Sequence, residues 1–234
     1  MIVYDGRNTM TGIWKSVLQF EKNKNGRDFV CGDIHGCFDD LETELEIIKF
    51  NKAIDRLFCV GDLIDRGPKS AFAVYYLESD WFYSVMGNHD NMFLMANLEG
   101  PDRKDYYYDH IRNGGKWAYE KPYANHNVFH DLLLKRISRL PLVIRVDNTI
   151  ITHAALPEVQ NLEEIADNPA AYIDMILWYR GKYPSVKIPG INRVYVGHSI
   201  VDKPKQSGKY INLDTGAFLK YWGREDKLTV LELE

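Results

Sequence analysis

The segment FVCGDIHGCFDDLETELEIIKF, residues 29–50, joins a short apolar run to a helical repeat through a turn that contains two glycines. The run before Gly32 is continuously apolar, which is typical of a strand buried on both faces. Beyond the turn, apolar residues recur at helical spacing: Phe38, Leu41, Leu45 and Ile48. Asp39 or Asp40 is placed to cap the start of this helix. The segment therefore predicts a strand, a polar turn and a helix.

The same arrangement recurs further along the chain. Short apolar runs that stop at a small or polar residue occur in LFCVGD, YSVMGN, TIITH and RVYVGH. A second helix is predicted in GPKSAFAVYYLES, where Pro68 stands near the helix start. Strands that alternate with helices predict a largely parallel sheet in the first half of the chain. The second half returns to strands, with a hairpin turn predicted at Val146 to Thr149.

Residues 91–140 break this pattern. They are rich in Tyr, Lys, Arg and Asp, with NGG at residues 113–115 and the breakers Pro101 and Pro122. We interpret them as a mainly helical insertion within a single domain that spans residues 1–234. The histidines of this stretch lie away from every motif, and we expect them on the solvated surface: His110, His126 and His130.

The composition of the chain argues against several classes of function. A formal net charge of −4 gives no basic field for a polyanion, so we expect no nucleic-acid partner. No apolar run approaches the about 20 residues that span a bilayer, and the N-terminus lacks a signal-peptide pattern. We therefore expect no membrane association. The three cysteines, Cys31, Cys37 and Cys59, predict reduced thiols in a cytoplasmic protein. The oligomeric state is open, with a monomer favoured.

Residues able to bind a metal follow several of the predicted strands. Asp33 and His35 stand two positions apart, so in an extended segment both side chains point the same way. Asn88, His89 and Asp90 follow Gly87, where a turn would place them at an exposed strand tip. Because open parallel sheets bind ligands at the carboxyl ends of their strands, we expect these groups to meet.

The whole candidate set is too large for one ion and suits two. It consists of Asp33, His35, Asp62, Asn88, His153 and His198. A carboxylate can bridge two metals about 3.5–4 Å apart, a spacing that suits hydrolysis at phosphorus. Asp62 is the candidate for this bridge.

The sequence resembles the metallophosphoesterases, and within them the phosphoprotein phosphatase family of Ser/Thr phosphatases. The resemblance rests on GDIHG, GDLIDRG and GNHD, followed by two later histidines, in that order. It is closest to the compact bacteriophage and bacterial branch, because NGG before Trp117, LPLVI, LWYR and LDTGA are also similar. The resemblance implies an α/β (α+β) metallophosphoesterase (calcineurin-like) fold, with two mixed sheets packed as a sandwich and flanked by helices.

The resemblance also implies a role for each motif residue. It makes Asp33, His35 and Asp62 the ligands of one metal, and Asp62, Asn88, His153 and His198 the ligands of the other. A water or hydroxide that bridges the ions would attack phosphorus in line.

Acid catalysis and phosphate binding are assigned by the same resemblance. His89 would protonate the leaving alkoxide, oriented by Asp65. Arg66 and Arg180 would grip the phosphate oxygens. Asp214 would have a supporting role. Mn²⁺ is the expected metal, with Fe, Zn and Co as alternatives.

The first functional hypothesis is a phosphomonoester hydrolase acting on phosphoserine and phosphothreonine, with phosphotyrosine and small aryl phosphates as further candidate substrates. The alternative enzyme is a symmetrical bis(5'-nucleosyl)-tetraphosphatase, which breaks a P–O bond with the same machinery. A non-catalytic metal-binding scaffold ranks lower, because no ligand of the motif set is missing. A metal-dependent nuclease is disfavoured by the acidic net charge and the lack of a basic stripe.

Overall fold

The structure is a computed structural model that describes residues 15–120, 123 and 128–233. Its strands are β1 (Val17–Phe20), β2 (Asp28–Cys31), β3 (Arg56–Cys59), β4 (Phe82–Ser84), β5 (Val143–Val146), β6 (Thr149–Thr152), β7 (Arg193–Val196), β8 (Lys205–Ser207), β9 (Tyr210–Asn212) and β10 (Val230–Glu232). Its α-helices are α1 (Phe38–Ile47), α2 (Ala73–Leu77), α3 (Asn88–Asn97), α4 (Arg103–Arg112), α5 (Val128–Ile137), α6 (Glu163–Asp167) and α7 (Ile173–Trp178). Short 3₁₀ turns cover Ser70–Phe72, Gly115–Tyr119, Pro169–Ala171 and Ala217–Trp222.

The strands form two mixed sheets. One sheet has the order β10-β2-β3-β4, in which β2, β3 and β4 are parallel and β10 is antiparallel. The other has the order β1-β5-β6-β7-β9-β8, with parallel pairs β1-β5, β6-β7 and β7-β9. The antiparallel hairpin β5-β6 turns over two residues between Val146 and Thr149, where it was predicted. The predicted two mixed sheets are confirmed.

Side-chain alternation along the strands separates two apolar layers. Val30 and Phe58 point into a cluster shared with Ile144, Ile151 and Tyr195 of the other sheet, so this layer fills the space between the sheets. Their neighbours along β2 and β3 face the opposite way, into a larger cluster under the helices. Because strand side chains alternate with period two, one short run supplies both layers. This is the buried, helix-flanked sheet that continuous apolar runs predict.

The insertion is mainly helical over the part that the structure describes. Helix α3 packs against α4, and α5 contacts α2 and α3. Residues 121, 122 and 124–127 lie outside the described residues, and His126 is among them. In residues 15–120, 123 and 128–233, no helix has the length and apolar character needed to cross a bilayer.

Two local predictions were wrong. Asn88, His89 and Asp90 do not form an exposed turn but begin helix α3 and are buried. The helix starts there because the Asp90 carboxylate accepts the Gly87 N–H at 2.9 Å.

The second wrong prediction concerns helix α1. Its N-cap residue is Cys37, and no side chain caps it. Asp39 and Asp40 lie in the first turn, where they form ion pairs with Lys69 and Lys220.

Candidate metal centre and active site

The carboxyl ends of five strands deliver polar side chains to one buried region. Asp33 and His35 follow β2, Asp62 follows β3, Asn88 follows β4, His153 follows β6 and His198 follows β7. All six side chains are buried, with at most 5 % of each residue exposed. The structure therefore brings together the six residues that the sequence predicts as metal ligands.

Asp62 lies at the centre of this region. Its Oδ2 is 3.4 Å from His35 Nε2, and its Oδ1 is 3.6 Å from His153 Nε2. Oδ1 also accepts the backbone N–H of His89 at 2.9 Å. Burial raises the pKa of Asp62, but the surrounding imidazoles and Arg66 outweigh burial and leave this pKa below its usual range. A carboxylate that stays ionised between two groups of ligands is suited to bridge them.

Asp33 adds a second buried carboxyl group. One oxygen each of Asp33 and Asp62 and one ring nitrogen of His153 lie within 4.8 Å of one another. The His198 backbone N–H donates to Asp33 Oδ2 at 3.1 Å. Burial and the nearby carboxylates of Asp214 and Asp62 raise the pKa of Asp33 well above its usual range. Crowded buried carboxylates favour either a proton or a cation between them.

The side-chain oxygen of Asn88 contacts two imidazole rings. Its Oδ1 lies 2.9 Å from His153 Nε2 and 2.9 Å from His198 Nδ1. Burial lowers the pKa of His153, and burial together with the adjacent His153 lowers the pKa of His198 to about 3, so both rings are neutral at pH near 7. The other nitrogen of His153 donates to the Val60 carbonyl at 2.8 Å, so Nε2 presents a lone pair.

The Asn88 oxygen and the His153 Nε2 lone pair therefore face each other, an arrangement that a bound cation would stabilise. Asn88, His153 and His198 therefore fit a divalent metal ion. His35 also directs a lone pair into the site: Nδ1 donates to the Ile64 carbonyl at 2.9 Å, and Nε2 accepts a hydrogen bond from Arg66 at 2.9 Å. The positively charged guanidinium of Arg66 therefore lies next to the Nε2 lone pair of His35.

The backbone at the site is unusual. Five residues other than glycine have positive φ here, namely His35, Asp62, Asp65, Arg66 and His198. Such conformations cost on the order of 1–3 kcal/mol each and persist where surrounding structure enforces them. Gly87 shows how tight the packing is, because a Cβ there would lie 2.1 Å from Asp62 Oδ1. These conformations lower local stability, and they direct the candidate ligand side chains into the site.

His89 and Asp65 form a buried pair beside the ligand cluster. His89 Nδ1 donates to Asp65 Oδ2 at 2.7 Å, and both residues are at most 1 % exposed. Burial raises the pKa of Asp65, but His110 and His89 outweigh it and lower this pKa to about 2. An ionised Asp65 accepts the His89 Nδ1–H and thereby orients the ring, with Nε2 outside this pair. The His35 and His89 rings meet edge to face at 4.7 Å.

The two predicted arginines lie on either side of the cluster. Arg66 stacks on the Phe218 ring, with its guanidinium carbon 4.6 Å from the ring centre. Arg180 is exposed, yet its charge is close enough to lower the pKa of His153 and His198. Asp214 is buried near Asp33, accepts the Gly216 N–H at 3.0 Å and has a pKa raised by burial to about 6.

Sequence reasoning missed two residues that contact Asp65. His110 Nε2 donates to Asp65 Oδ1 at 2.9 Å, and Trp117 Nε1 donates to the same oxygen at 2.8 Å. The surface prediction for His110 and His130 was wrong, since the insertion buries both. Tyr106 and Tyr107 precede His110 by one helical turn, and this stripe could have indicated a buried face.

Comparison with known proteins points in one direction. Residues 29–202 match the family described as calcineurin-like phosphoesterase. The chain is 32% identical over 200 residues to serine/threonine-protein phosphatase 2 of Salmonella typhimurium, which covers 81% of this chain and 87% of that protein. It is 31% identical over 153 residues to the symmetrical bis(5'-nucleosyl)-tetraphosphatase of Vibrio campbellii, covering 64% of this chain and 52% of the relative.

The fold has a counterpart among solved structures. A protein serine/threonine phosphatase from Saccharomyces cerevisiae superposes with a TM-score of 0.59 at 19% identity, over 94% of this chain and 84% of that one. At this identity the likeness concerns the fold alone. Together with the sequence relatives, it confirms the resemblance drawn from the motifs.

Proposed function

The chain belongs to the calcineurin-like phosphoesterase family, and we propose that it is a metal-dependent Ser/Thr protein phosphatase that hydrolyses phosphomonoesters. Its family and its phosphatase relatives make it a hydrolase of phosphoesters. One observation carries the finer proposal: five buried candidate ligand side chains lie around a sixth, Asp62, and the His89–Asp65 pair lies directly beside them. Metal ligands, an acid and two arginines are the parts that phosphoryl transfer to water requires.

The ligand set would hold two divalent ions. Asp33, His35 and Asp62 would hold one, and Asp62 with the group around Asn88 (Asn88, His153 and His198) would hold the other. When bound, these ions would act as Lewis acids. They would neutralise phosphate charge and lower the pKa of a water molecule next to the phosphorus atom. Mixed carboxylate, amide and imidazole ligands suit Mn²⁺, our first choice, and also Fe, Zn or Co.

The chain's own residues bind the phosphate and move the proton. Arg66 and Arg180 would hold non-bridging phosphate oxygens, because a planar guanidinium donates to two of them at once. His89 would donate the proton on Nε2 to the departing alkoxide oxygen. Asp65 keeps Nδ1 occupied and stabilises the positive charge on the ring before the proton leaves. Burial of this pair keeps water from competing for the proton.

His89 could instead be a metal ligand, since it lies within 4.8 Å of His35 and Asp62. Its pairing with Asp65 favours the acid role, because the hydrogen bond from Nδ1 to an ionised carboxylate orients the ring for proton transfer at Nε2. Metal content of a His89 variant separates these roles.

Two observations support a protein substrate. The match to the Salmonella phosphatase spans most of both chains, whereas the match to the Vibrio tetraphosphatase spans about half of that relative. A cleft of about 500 Å³ also opens beside Arg66, where apolar side chains such as Ile200, Phe218 and Trp222 line it together with Arg112 and Asn113. Residues that flank a phosphoserine could lie there. A symmetrical bis(5'-nucleosyl)-tetraphosphatase is the second candidate, supported by the 31% identity to the Vibrio tetraphosphatase over 153 residues.

A turnover assay with three substrates tests the proposal. A phosphoserine peptide, diadenosine tetraphosphate and single-stranded DNA are compared with added Mn²⁺, with the Asp62→Asn variant as the inactive control. We expect the highest kcat/KM for the peptide and none for DNA. A preference for the dinucleotide would replace the substrate class, and no turnover of any phosphoester would refute the function.

We further propose that the protein acts in the cytoplasm as a monomer. Cys31, Cys37 and Cys59 are buried free thiols in the described residues, and burial raises the pKa of Cys37 to about 12. Unreactive thiols without disulfides support a reducing compartment. Gel filtration with light scattering tests the oligomeric state.

A further inference from the structure

We propose that His110 and Trp117 are positioning residues for the proton-transfer step, and that residues 91–140 thereby complete the acid half of the site. This inference rests on the proposed function, in which His89 is the acid. It gives the insertion a role in catalysis beyond packing. His110 lies on α4 and Trp117 on the following 3₁₀ turn, both outside the strand-end motifs.

Three ring N–H groups donate hydrogen bonds to the Asp65 carboxylate. Oδ2 accepts from His89 at 2.7 Å, while Oδ1 accepts from His110 at 2.9 Å and from Trp117 at 2.8 Å. Asp65 is 0 % exposed, so water cannot replace a lost donor. Two donors on Oδ1 fix the plane of the carboxylate, and that plane decides whether Oδ2 points at His89.

The donors are themselves held in place. The Tyr119 hydroxyl lies 2.8 Å from His110 Nδ1, and burial raises the pKa of Tyr119 above its usual range, so the hydroxyl keeps its proton and donates it. His110 must then donate through Nε2, which faces Asp65. Phe93 stacks on Trp117 and meets the edge of His110. A continuous chain of hydrogen bonds therefore runs from Tyr119 to His89.

The NGG stretch explains how the insertion approaches so closely. A Cβ on Gly115 would lie 2.2 Å from His110 Nε2, and a Cβ on Gly114 would lie 2.9 Å from the backbone nitrogen of Arg66. Glycine is thus required where the 3₁₀ turn rests on the imidazole and on the Asp65–Arg66 loop. The insertion is fitted to this loop rather than merely covering it.

Trp117→Phe is the main test, because it removes one donor and keeps an aromatic ring against Phe93. Trp81→Phe is the matched control, since Trp81 is a partly buried tryptophan that packs on Phe50 and Tyr76 away from the site. His110→Gln is a second variant. Each protein, loaded with Mn²⁺, is assayed on phenyl, 4-nitrophenyl and 2,4-dinitrophenyl phosphate, whose leaving groups need protonation to decreasing degrees.

We expect Trp117→Phe to lower kcat on phenyl phosphate by about 10–100-fold, the usual effect of losing a residue that orients a catalytic group. The loss should shrink toward none on the dinitrophenyl ester, with KM and bound Mn²⁺ unchanged. In a His89→Asn background, Trp117→Phe should cause no further loss, because its effect acts through His89. Trp81→Phe should keep wild-type kcat on all three esters.

An equal loss on all three esters, no loss, or a further loss in the His89→Asn background would each overturn the positioning role. The His89→Asn variant separates this failure from failure of the proposed acid. If that variant loses kcat equally on all three esters, His89 is not the acid and both proposals fall.

Discussion

Replacing Asp62 by Asn should remove the stabilisation of the protein by Mn²⁺. Its two carboxylate oxygens lie 3.4 Å from His35 Nε2 and 3.6 Å from His153 Nε2, so an ion on either imidazole would also be close to this carboxylate. At about 4 Å and an effective dielectric constant of about 20, the attraction is about 4 kcal/mol per unit of ion charge. Losing even one such unit weakens binding on the order of 10³-fold, so this factor is a lower bound for a divalent ion.

Thermal unfolding with added Mn²⁺ measures this loss. At about 100 times Kd, one bound ion adds about 2.7 kcal/mol to the free energy of unfolding. For a chain of this size, that corresponds to a rise in Tm of about 5–11 °C. At the same Mn²⁺ concentration, Asp62→Asn should show no resolved rise, and metal analysis should find neither ion.

Asp55→Asn is the matched control. Asp55 is a buried carboxylate bound by Arg27 at 2.7 Å, and it precedes β3, whereas Asp62 follows the opposite end of that strand. Its variant should start from a lower Tm but keep the full rise with Mn²⁺. The reasoning is refuted if Asp62→Asn has the wild-type Mn²⁺ midpoint, or if it still binds two ions per chain.

Three further outcomes are expected. His89→Asn should lower kcat by roughly 10²–10⁴-fold, the usual contribution of a general acid, with bound metal unchanged; loss of an ion would instead make His89 a ligand. Arg66→Lys should lower kcat/KM by about 10–100-fold, because Lys lacks the second parallel donor of a charged pair worth about 1.5–3 kcal/mol; wild-type kinetics would remove Arg66 from phosphate binding. The pKa of Asp65 is lowered to about 2, against about 4 in the unfolded chain. Its contribution of about 2–3 kcal/mol is therefore fully present above pH about 4 and lost as the pH falls toward about 2. Urea unfolding across that range should show a shallower acid limb for Asp65→Asn, and an unchanged limb would contradict the assignment.

The metal ligands could be predicted because they follow regular elements. Asp33, Asp62 and Asn88 each come directly after a short apolar strand, and parallel strands bring their carboxyl ends to one edge. His153 and His198 follow parallel strands of the second sheet in the same way. The meeting of the two sheets' edges, however, depends on how the sheets pack, which no single strand pattern specifies.

The helix capping and the surface histidines could not be predicted in the same way. Asp39 and Asp40 have the right position to cap α1, but Lys69 and Lys220 from distant segments pair with them instead. His110 has a polar sequence context that is typical of exposed helices. Tertiary contacts decided against local preference at both places.

The sequence by itself predicted the alternation of strands and helices in the first half of the chain, the hairpin at Val146 to Thr149 and which residues are candidate metal ligands. These follow from periodicity and from polar residues at strand ends, which are local properties of the chain. Only the tertiary structure decided that His110 and Trp117 meet Asp65, because these residues lie 45 and 52 positions from it along the chain. Contacts at such separations depend on how whole helices pack onto a sheet, and short-range sequence patterns do not specify that packing.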